Sequence, residues 1–282
     1  MSKLQKALEK AKEARGDSYS DSTGMPESSP DSVDDIHLPT LKIWEGDVVP
    51  EKVDRISPSY TQSRNVSLDP EVMERNRCVA MFPSREEVEA YRILRTQILN
   101  RTRESGGNLI MITSALPGEG KTLTAINLAL TFAREFRQTA LLVDCDLKKQ
   151  SIHEMMGFQS DKGLVDHLIG DCPVEDLFVW PGVEKLTLIS GGGTINESSE
   201  IMGSPRMKEL VVEMKRRYPE RYIFFDVPSI LVGADALTFA LLADFIVMVV
   251  QADKTPLGEV NKAAQLIPRE KLLGLVLNRY HP

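Results

Sequence analysis

Two regimes of hydrophobic patterning divide the chain. From about residue 84 onward, short apolar runs alternate with segments whose apolar positions recur every three to four residues. The runs are NLIMITS (108–114), TALLVD (139–144), LTLIS (186–190), YIFFDV (222–227), FIVMVVQ (245–251) and LLGLVLN (272–278). Each has strand length and is apolar at nearly every position, which predicts strands covered on both faces. Between them the spacing predicts helices over about 121–136, 204–217, 233–243 and 256–267, with shorter helical pieces around 151–156 and 163–169. Ser84-Arg-Glu-Glu87 reads as a capping box that opens a further helix through about Arg103. Alternating strands and helices imply a doubly wound, mostly parallel α/β sheet.

The first 80 residues lack this order. All nine Phe lie at or beyond Phe82. Residues 17–35 hold six acids, six Ser and no Lys or Arg. Such a stretch buries too little apolar surface to offset its conformational entropy, so it is predicted to be disordered. Before it, Leu4, Ala7, Leu8, Ala11 and Ala14 share one stripe of a short helix. Its Lys-rich opposite face suits a protein partner or an anionic lipid surface. Residues 38–44 (LPTLKIW) form a weakly apolar island. The predicted organisation is therefore a mostly disordered arm over 1–80 and one folded domain over 81–282.

Composition narrows the function classes. With 34 Lys+Arg against 41 Asp+Glu, the net charge of −7 argues against a nucleic-acid coat. No run of 18 apolar residues exists, so no membrane span is predicted. The start lacks the apolar core of a secretory signal. Three cysteines, Cys78, Cys145 and Cys172, are too few and scattered for a disulfide framework or a zinc site. A reduced, cytoplasmic protein is expected.

The chemistry is concentrated after the first long strand. There Ala115-Leu116-Pro117-Gly118-Glu119-Gly120-Lys121-Thr122 leads into a helix. The spacing is that of a phosphate-binding P-loop, with Ala115 in place of the first Gly. Gly118 and Gly120 let the backbone wrap phosphate oxygens, and the helix start adds N–H donors and a positive dipole end. Lys121 would neutralise β/γ-phosphate charge, and the Thr122 hydroxyl would ligate Mg²⁺. Two further strands end in carboxylates: Asp144 and Asp146 in LLVDCD, and Asp226 in IFFDVPS. Ligands of open α/β sheets bind at such strand ends, where an Asp can hold Mg²⁺ or accept a proton.

Together these residues resemble the bacterial tyrosine kinases, cytoplasmic autokinases of capsule and exopolysaccharide assembly. The resemblance covers roughly 82–279. That family carries a Walker A′ motif, apolar-D-x-D-x-R, seen here as LLVDCDLK (Asp144, Asp146, Lys148). Its Walker B motif, apolar-D-x-P-P, appears as IFFDVPS (Asp226, Pro228, Ser229). Its E-x-x-R-x-x-R helix, at a subunit interface of ring oligomers, appears as Glu89, Arg92 and Arg95. The nearest competitor is the MinD/ParA group of positioning ATPases. Its signature Lys falls on Leu116 here, and Pro117 replaces a Gly, so the kinase is favoured. A non-catalytic, nucleotide-dependent scaffold is the third reading.

The resemblance implies ATP and Mg²⁺ as cofactors. ATP phosphates would lie on residues 117–122, Mg²⁺ on Thr122, Asp146 and Asp226. Asp144 is the candidate base for the tyrosine hydroxyl, and Asn278 resembles an adenine-contacting Asn. It implies a membrane polysaccharide co-polymerase as activating partner, self-association into a ring, and a position at the inner membrane through that partner. No nucleic-acid partner is expected. The family's carboxy-terminal tyrosine cluster is missing, since this chain stops at Arg279-Tyr280-His281-Pro282. Tyr19 and Tyr60 are therefore the candidate phosphoacceptors, with Tyr280 a lesser one. Cys145 reads as packing under a strand end, and Asp235 as a helix cap or a supporting group. Gly191-Gly192-Gly193 reads as a flexible loop at the nucleotide rim or as a simple turn. His37, His153, His167 and His281 lack ligand spacing.

Overall fold

A computed structural model describes residues 63–280. The amino-terminal helix, the acidic stretch, LPTLKIW, Tyr19 and Tyr60 lie outside the described residues, as do His281 and Pro282. The chain forms β1 (Arg64–Asn65), α1 (Pro70–Arg75), α2 (Glu87–Thr102), β2 (Leu109–Ser114), α3 (Lys121–Ala133) and β3 (Thr139–Asp144). Then follow α4 (Ile152–Met156), α5 (Leu164–Leu168), β4 (Val179–Trp180), β5 (Leu186–Ile189), α6 (Ser198–Met202) and α7 (Pro205–Arg217). The last elements are β6 (Arg221–Asp226), α8 (Ala234–Ala240), β7 (Phe245–Gln251), α9 (Leu257–Leu266) and β8 (Leu272–Asn278).

The eight strands form one sheet in the order β1-β4-β5-β3-β6-β2-β7-β8. Every pairing is parallel except β4 with β5. Period-two alternation sorts the strand residues onto two cores. Leu109, Met111, Leu141, Val143, Ile223, Phe225, Ile246 and Met248 face α5 to α9. Ile110, Ile112, Ala140, Leu142, Phe224, Val247 and Val249 face α1 to α4. On that second side Phe132 lies 4.8 Å from Tyr222 and 4.9 Å from Phe224 between ring centroids. The doubly wound sheet expected from the sequence is therefore present, and β2, β3, β5 and β6 are buried along their whole lengths. β8 departs from the expectation. It is an edge strand, and Leu275 and Leu277 are 54% and 57% exposed, with no helix over them among the described residues.

Two local expectations need correction. Residues 64–80, which the boundary at 81 assigns to the arm, carry β1, α1 and most of a 3₁₀ turn, and Met73, Cys78 and Ala80 are fully buried in the second core. α1 carries its own start signal: the Asp69 side chain accepts the N–H groups of Glu71 and Val72, and Pro70 opens the helix. The capping box at Ser84 does not form. α2 begins at Glu87 after Glu86, with no side-chain cap. Arg85 instead pairs with Glu74 of α1 and stacks over Phe82, which holds this stretch as a turn.

Candidate active site

The central strands β2, β3 and β6 end side by side, and their parallel order places Asp144 and Asp226 at paired register positions. The P-loop leaves β2 and enters α3 between them. Gly118 and Gly120 both have positive φ, 82° and 96°, a region closed to most side chains. A Cβ on Gly120 would lie 2.1 Å from the Asn278 amide nitrogen.

The charged groups converge. Lys121 Nζ lies 2.8 Å from Asp146 Oδ2 and 3.5 Å from Asp226 Oδ1. It also donates to Thr122 Oγ1 at 3.3 Å. The Thr122 hydroxyl donates to Asp226 Oδ2 at 2.6 Å. Burial works against the Lys121 ammonium, but Asp226, Asp146 and Asp144 outweigh it and hold Lys121 well above the usual lysine range. Burial raises both Asp144 and Asp226, Asp144 to about 7, with the Asp226 charge adding to the effect on Asp144.

Asp144, which ends β3, and Asp146, two residues on, have different surroundings. Asp144 is fully buried and accepts three backbone N–H groups: Asp146 at 3.2 Å, Ser151 at 3.0 Å and Ile152 at 3.1 Å. It therefore ties the loop after β3 to the start of α4. Its Oδ1 carries one of these contacts and its Oδ2 two, so the group has a positioning task beside its candidate role as base. The Asp146 side chain keeps 13% exposure beside Lys121.

The donor set fits Mg²⁺. A hydroxyl and two carboxylates are hard oxygen donors, and this ion usually completes its shell with phosphate and water. Among the described residues no group of three or more His, Cys, Asp or Glu could hold a metal by itself.

Asn278 donates to the Glu119 carbonyl at 2.8 Å and accepts its neighbour Arg279 N–H, so here it braces the P-loop. Lys148 lies 2.8 Å from buried Asp235, which also accepts the Ser198 hydroxyl. Asp235 is thus an ion-pair partner, and Gly233 holds the cap position of α8 without a side-chain bond. Ser229, at the second Walker B Pro position, bonds Ser114, whose hydroxyl is also 2.8 Å from the Leu116 carbonyl. Cys145 is buried, and burial and the three neighbouring Asp push its thiol well above its usual range, which disfavours the reactive thiolate. Gly191 to Gly193 form a close-packed irregular stretch: a Cβ on Gly163 would meet Gly192 N at 2.2 Å, and Gln150 donates to the Gly193 carbonyl. Tyr280 is exposed two residues past Asn278. Ser114 and Thr255 were not singled out from the sequence, since an isolated hydroxyl residue carries no spacing signal.

The Glu89, Arg92, Arg95 stripe divides. Arg92 pairs with Glu89 on the surface at 3.0 Å. Arg95 turns inward, donates to the Thr131 carbonyl at 2.9 Å and pairs with Glu135 at 3.3 Å. A three-residue step falls about 60° short of a full turn, so Arg95 sits about 120° around α2 from Glu89 and meets α3. An Arg95→Ala chain is expected to lose about 2 kcal/mol of stability in denaturant unfolding, from a charged hydrogen bond and a half-buried pair. Arg92→Ala is expected to leave stability within about 0.5 kcal/mol.

A P-loop with a Lys, a Thr and strand-end carboxylates at the centre of a parallel sheet defines a nucleotide-binding α/β protein. No family model matches the chain. It is 33% identical over 208 residues to tyrosine-protein kinase YwqD of Bacillus subtilis (strain 168), spanning 73% of this chain and 86% of that protein. It is 31% identical over 215 residues to the succinoglycan biosynthesis transport protein ExoP of Rhizobium meliloti (strain 1021), spanning 72% of this chain but 26% of that protein. Among solved structures it is similar to the chimerical protein CapA2B2, with a TM-score of 0.68 and 27% identity over 78% of this chain and 94% of that one. The chain belongs to the bacterial tyrosine-protein kinase family.

Proposed function

We propose that the chain is an ATP-dependent protein-tyrosine kinase that regulates exopolysaccharide or capsule assembly. The observation that carries this reading is the Lys121–Asp146–Asp226–Thr122 cluster against the P-loop, in a chain of the tyrosine-kinase family. ATP phosphates would lie on residues 117–122, and Mg²⁺ on Thr122, Asp146 and Asp226. Bound Mg²⁺ would neutralise charge on the β- and γ-phosphates. Lys121 supplies a fixed positive charge for the charge that develops in transfer. The P-loop N–H groups orient the phosphate for in-line attack. A loose transition state leaves little for a base to do. Asp144 is the proposed base for the tyrosine hydroxyl, and its backbone contacts also position the loop that carries Asp146.

The polysaccharide role rests on the names of longer relatives such as ExoP. Among the described residues no helix is long and apolar enough to cross a membrane. A membrane co-polymerase is the proposed activating partner, which would bring the kinase to the cytoplasmic face of the inner membrane. The exposed Glu89–Arg92 pair is the proposed contact for ring self-association.

Tyr19, Tyr60 and Tyr280 are the proposed acceptors. Incubation of the full chain with Mg-ATP and peptide mapping is expected to place phosphate on Tyr19 or Tyr60. Nucleotide turnover with no phosphotyrosine on any residue would favour a nucleotide-dependent switch instead.

A further inference from the structure

Glu119 is a buried carboxylate, 2% exposed, in the middle of a loop built to hold anions. A negative charge there opposes phosphate binding unless it does something that offsets the repulsion. Its partners show what that is. Glu119 Oε2 accepts the Leu116 N–H at 2.7 Å, which closes the P-loop on itself. Glu119 Oε1 accepts the hydroxyl of Thr255, 136 positions away. Thr255 is itself fixed on the turn after β7, where its Oγ1 accepts the Gln251 N–H and its own N–H donates to the Gln251 carbonyl, both at 3.2 Å. The Glu119 carbonyl meanwhile accepts the Asn278 amide from the end of β8. The Ala252 N–H donates to the Asn278 carbonyl at 2.9 Å, so the two strand ends are tied to each other as well.

We propose that Glu119 and Thr255 are positioning residues for nucleotide: together they clasp the P-loop to the β7–α9 turn and preset its phosphate-binding shape. The proposal rests on the reading of this loop as the nucleotide site. The physical need is local. Glu119 sits between Gly118 and Gly120, the two residues with positive φ. Glycines lose the most conformational freedom on ordering, so an untied loop would meet that cost at each binding event. Charge-assisted bonds from an N–H and a hydroxyl are strong enough to fix the loop beforehand. A purely structural brace would affect melting temperature and leave nucleotide affinity unchanged. A preorganising clasp affects affinity for ATP while kcat at saturation stays close to the wild-type value.

The test is direct ATP binding by calorimetry, with tyrosine-phosphorylation kinetics alongside, on the full chain. Thr255→Val keeps the shape and removes the hydroxyl; it is expected to raise Kd and KM for ATP about tenfold with kcat nearly unchanged. Thr255→Ser is expected to restore tight binding. Glu119→Ala is expected to weaken binding about a hundredfold, and Glu119→Gln to recover part of it, since an amide can still accept from Leu116. The double variant Glu119→Ala/Thr255→Val is expected to match Glu119→Ala alone, because one clasp is lost only once. Thr255→Val binding within twofold of wild type, or effects that add fully in the double variant, overturn the clasp while leaving the kinase reading intact. Failure of the wild-type chain to bind ATP overturns both.

Discussion

Replacing Lys121 by Met is expected to lower tyrosine phosphorylation by about a thousandfold or more. A fixed donor aimed at developing charge in a dry site contributes roughly a hundred- to a thousandfold by itself, and on the proposed function Lys121 would also serve ground-state phosphate binding. Its ammonium is held charged by Asp226, Asp146 and Asp144 against burial, so every molecule carries the charge at assay pH. Lys121→Arg is not expected to rescue, because a planar fork cannot occupy the position of a point charge 2.8 Å from one carboxylate and 3.5 Å from another. The fold should survive the Met substitution. Asp226 loses a cation but keeps the Thr122 hydroxyl, and its raised affinity for a proton lets it neutralise itself. Phosphotyrosine immunodetection with matched circular dichroism separates the two effects. A Lys121→Met chain that keeps more than a tenth of wild-type phosphorylation would refute the assigned role.

This site was legible in the sequence wherever chemistry is contiguous. Gly118 to Thr122 are neighbours, and the strand before and helix after them follow from apolar runs on either side. Asp144, Asp146 and Asp226 were legible because each closes such a run, and parallel strands bring their ends together. What each carboxylate does was not legible. The acceptance of three N–H groups by Asp144 depends on how the loop after β3 turns back, which no spacing encodes. Thr255 reaches Glu119 only because β7 lies beside β2. The same holds for the fold. Asp69-Pro70-Glu71 spells a helix start, yet the Ser- and Pro-rich composition around it outweighed a six-residue signal. β1 and β4 have two residues each, too few for any periodicity to register. β8 looks as buried as the central strands, because an apolar run does not say whether a helix covers both faces. Arg95 followed a charge stripe whose drift around the helix took it into the core side.

The largest stability effect is expected at Asp144. Asp144→Ala leaves three backbone N–H groups without an acceptor, at about 1–3 kcal/mol each, so a loss of roughly 3 kcal/mol or more is expected. Asp144→Asn should cost less. Its amide oxygen can still accept from Ser151 and Ile152, while its NH₂ group opposes the Asp146 N–H. The pair of variants then reads the pH dependence of the native group. In the folded chain Asp144 is raised to about 7 by burial and by Asp226, whereas the unfolded chain has an ordinary carboxylate. Between about pH 4 and 7 the folded state therefore binds the extra proton. By linkage the stabilisation from this group is fully present below that window and is lost as pH rises through it. Unfolding measured without nucleotide or metal is expected to show wild-type stability falling relative to Asp144→Asn from pH 4 to pH 7. Subtracting the two curves removes groups that titrate alike in both. Parallel curves across that range would show that Asp144 is ionised in the folded chain, with Lys121 and the three N–H donors overcoming its burial. A wild-type advantage over Asp144→Asn that shrinks as pH rises would show that the carboxyl at the end of β3 stays protonated well above the ordinary carboxylate range. In that case the loop that carries Asp146 is held by a neutral acid through most of the acidic range.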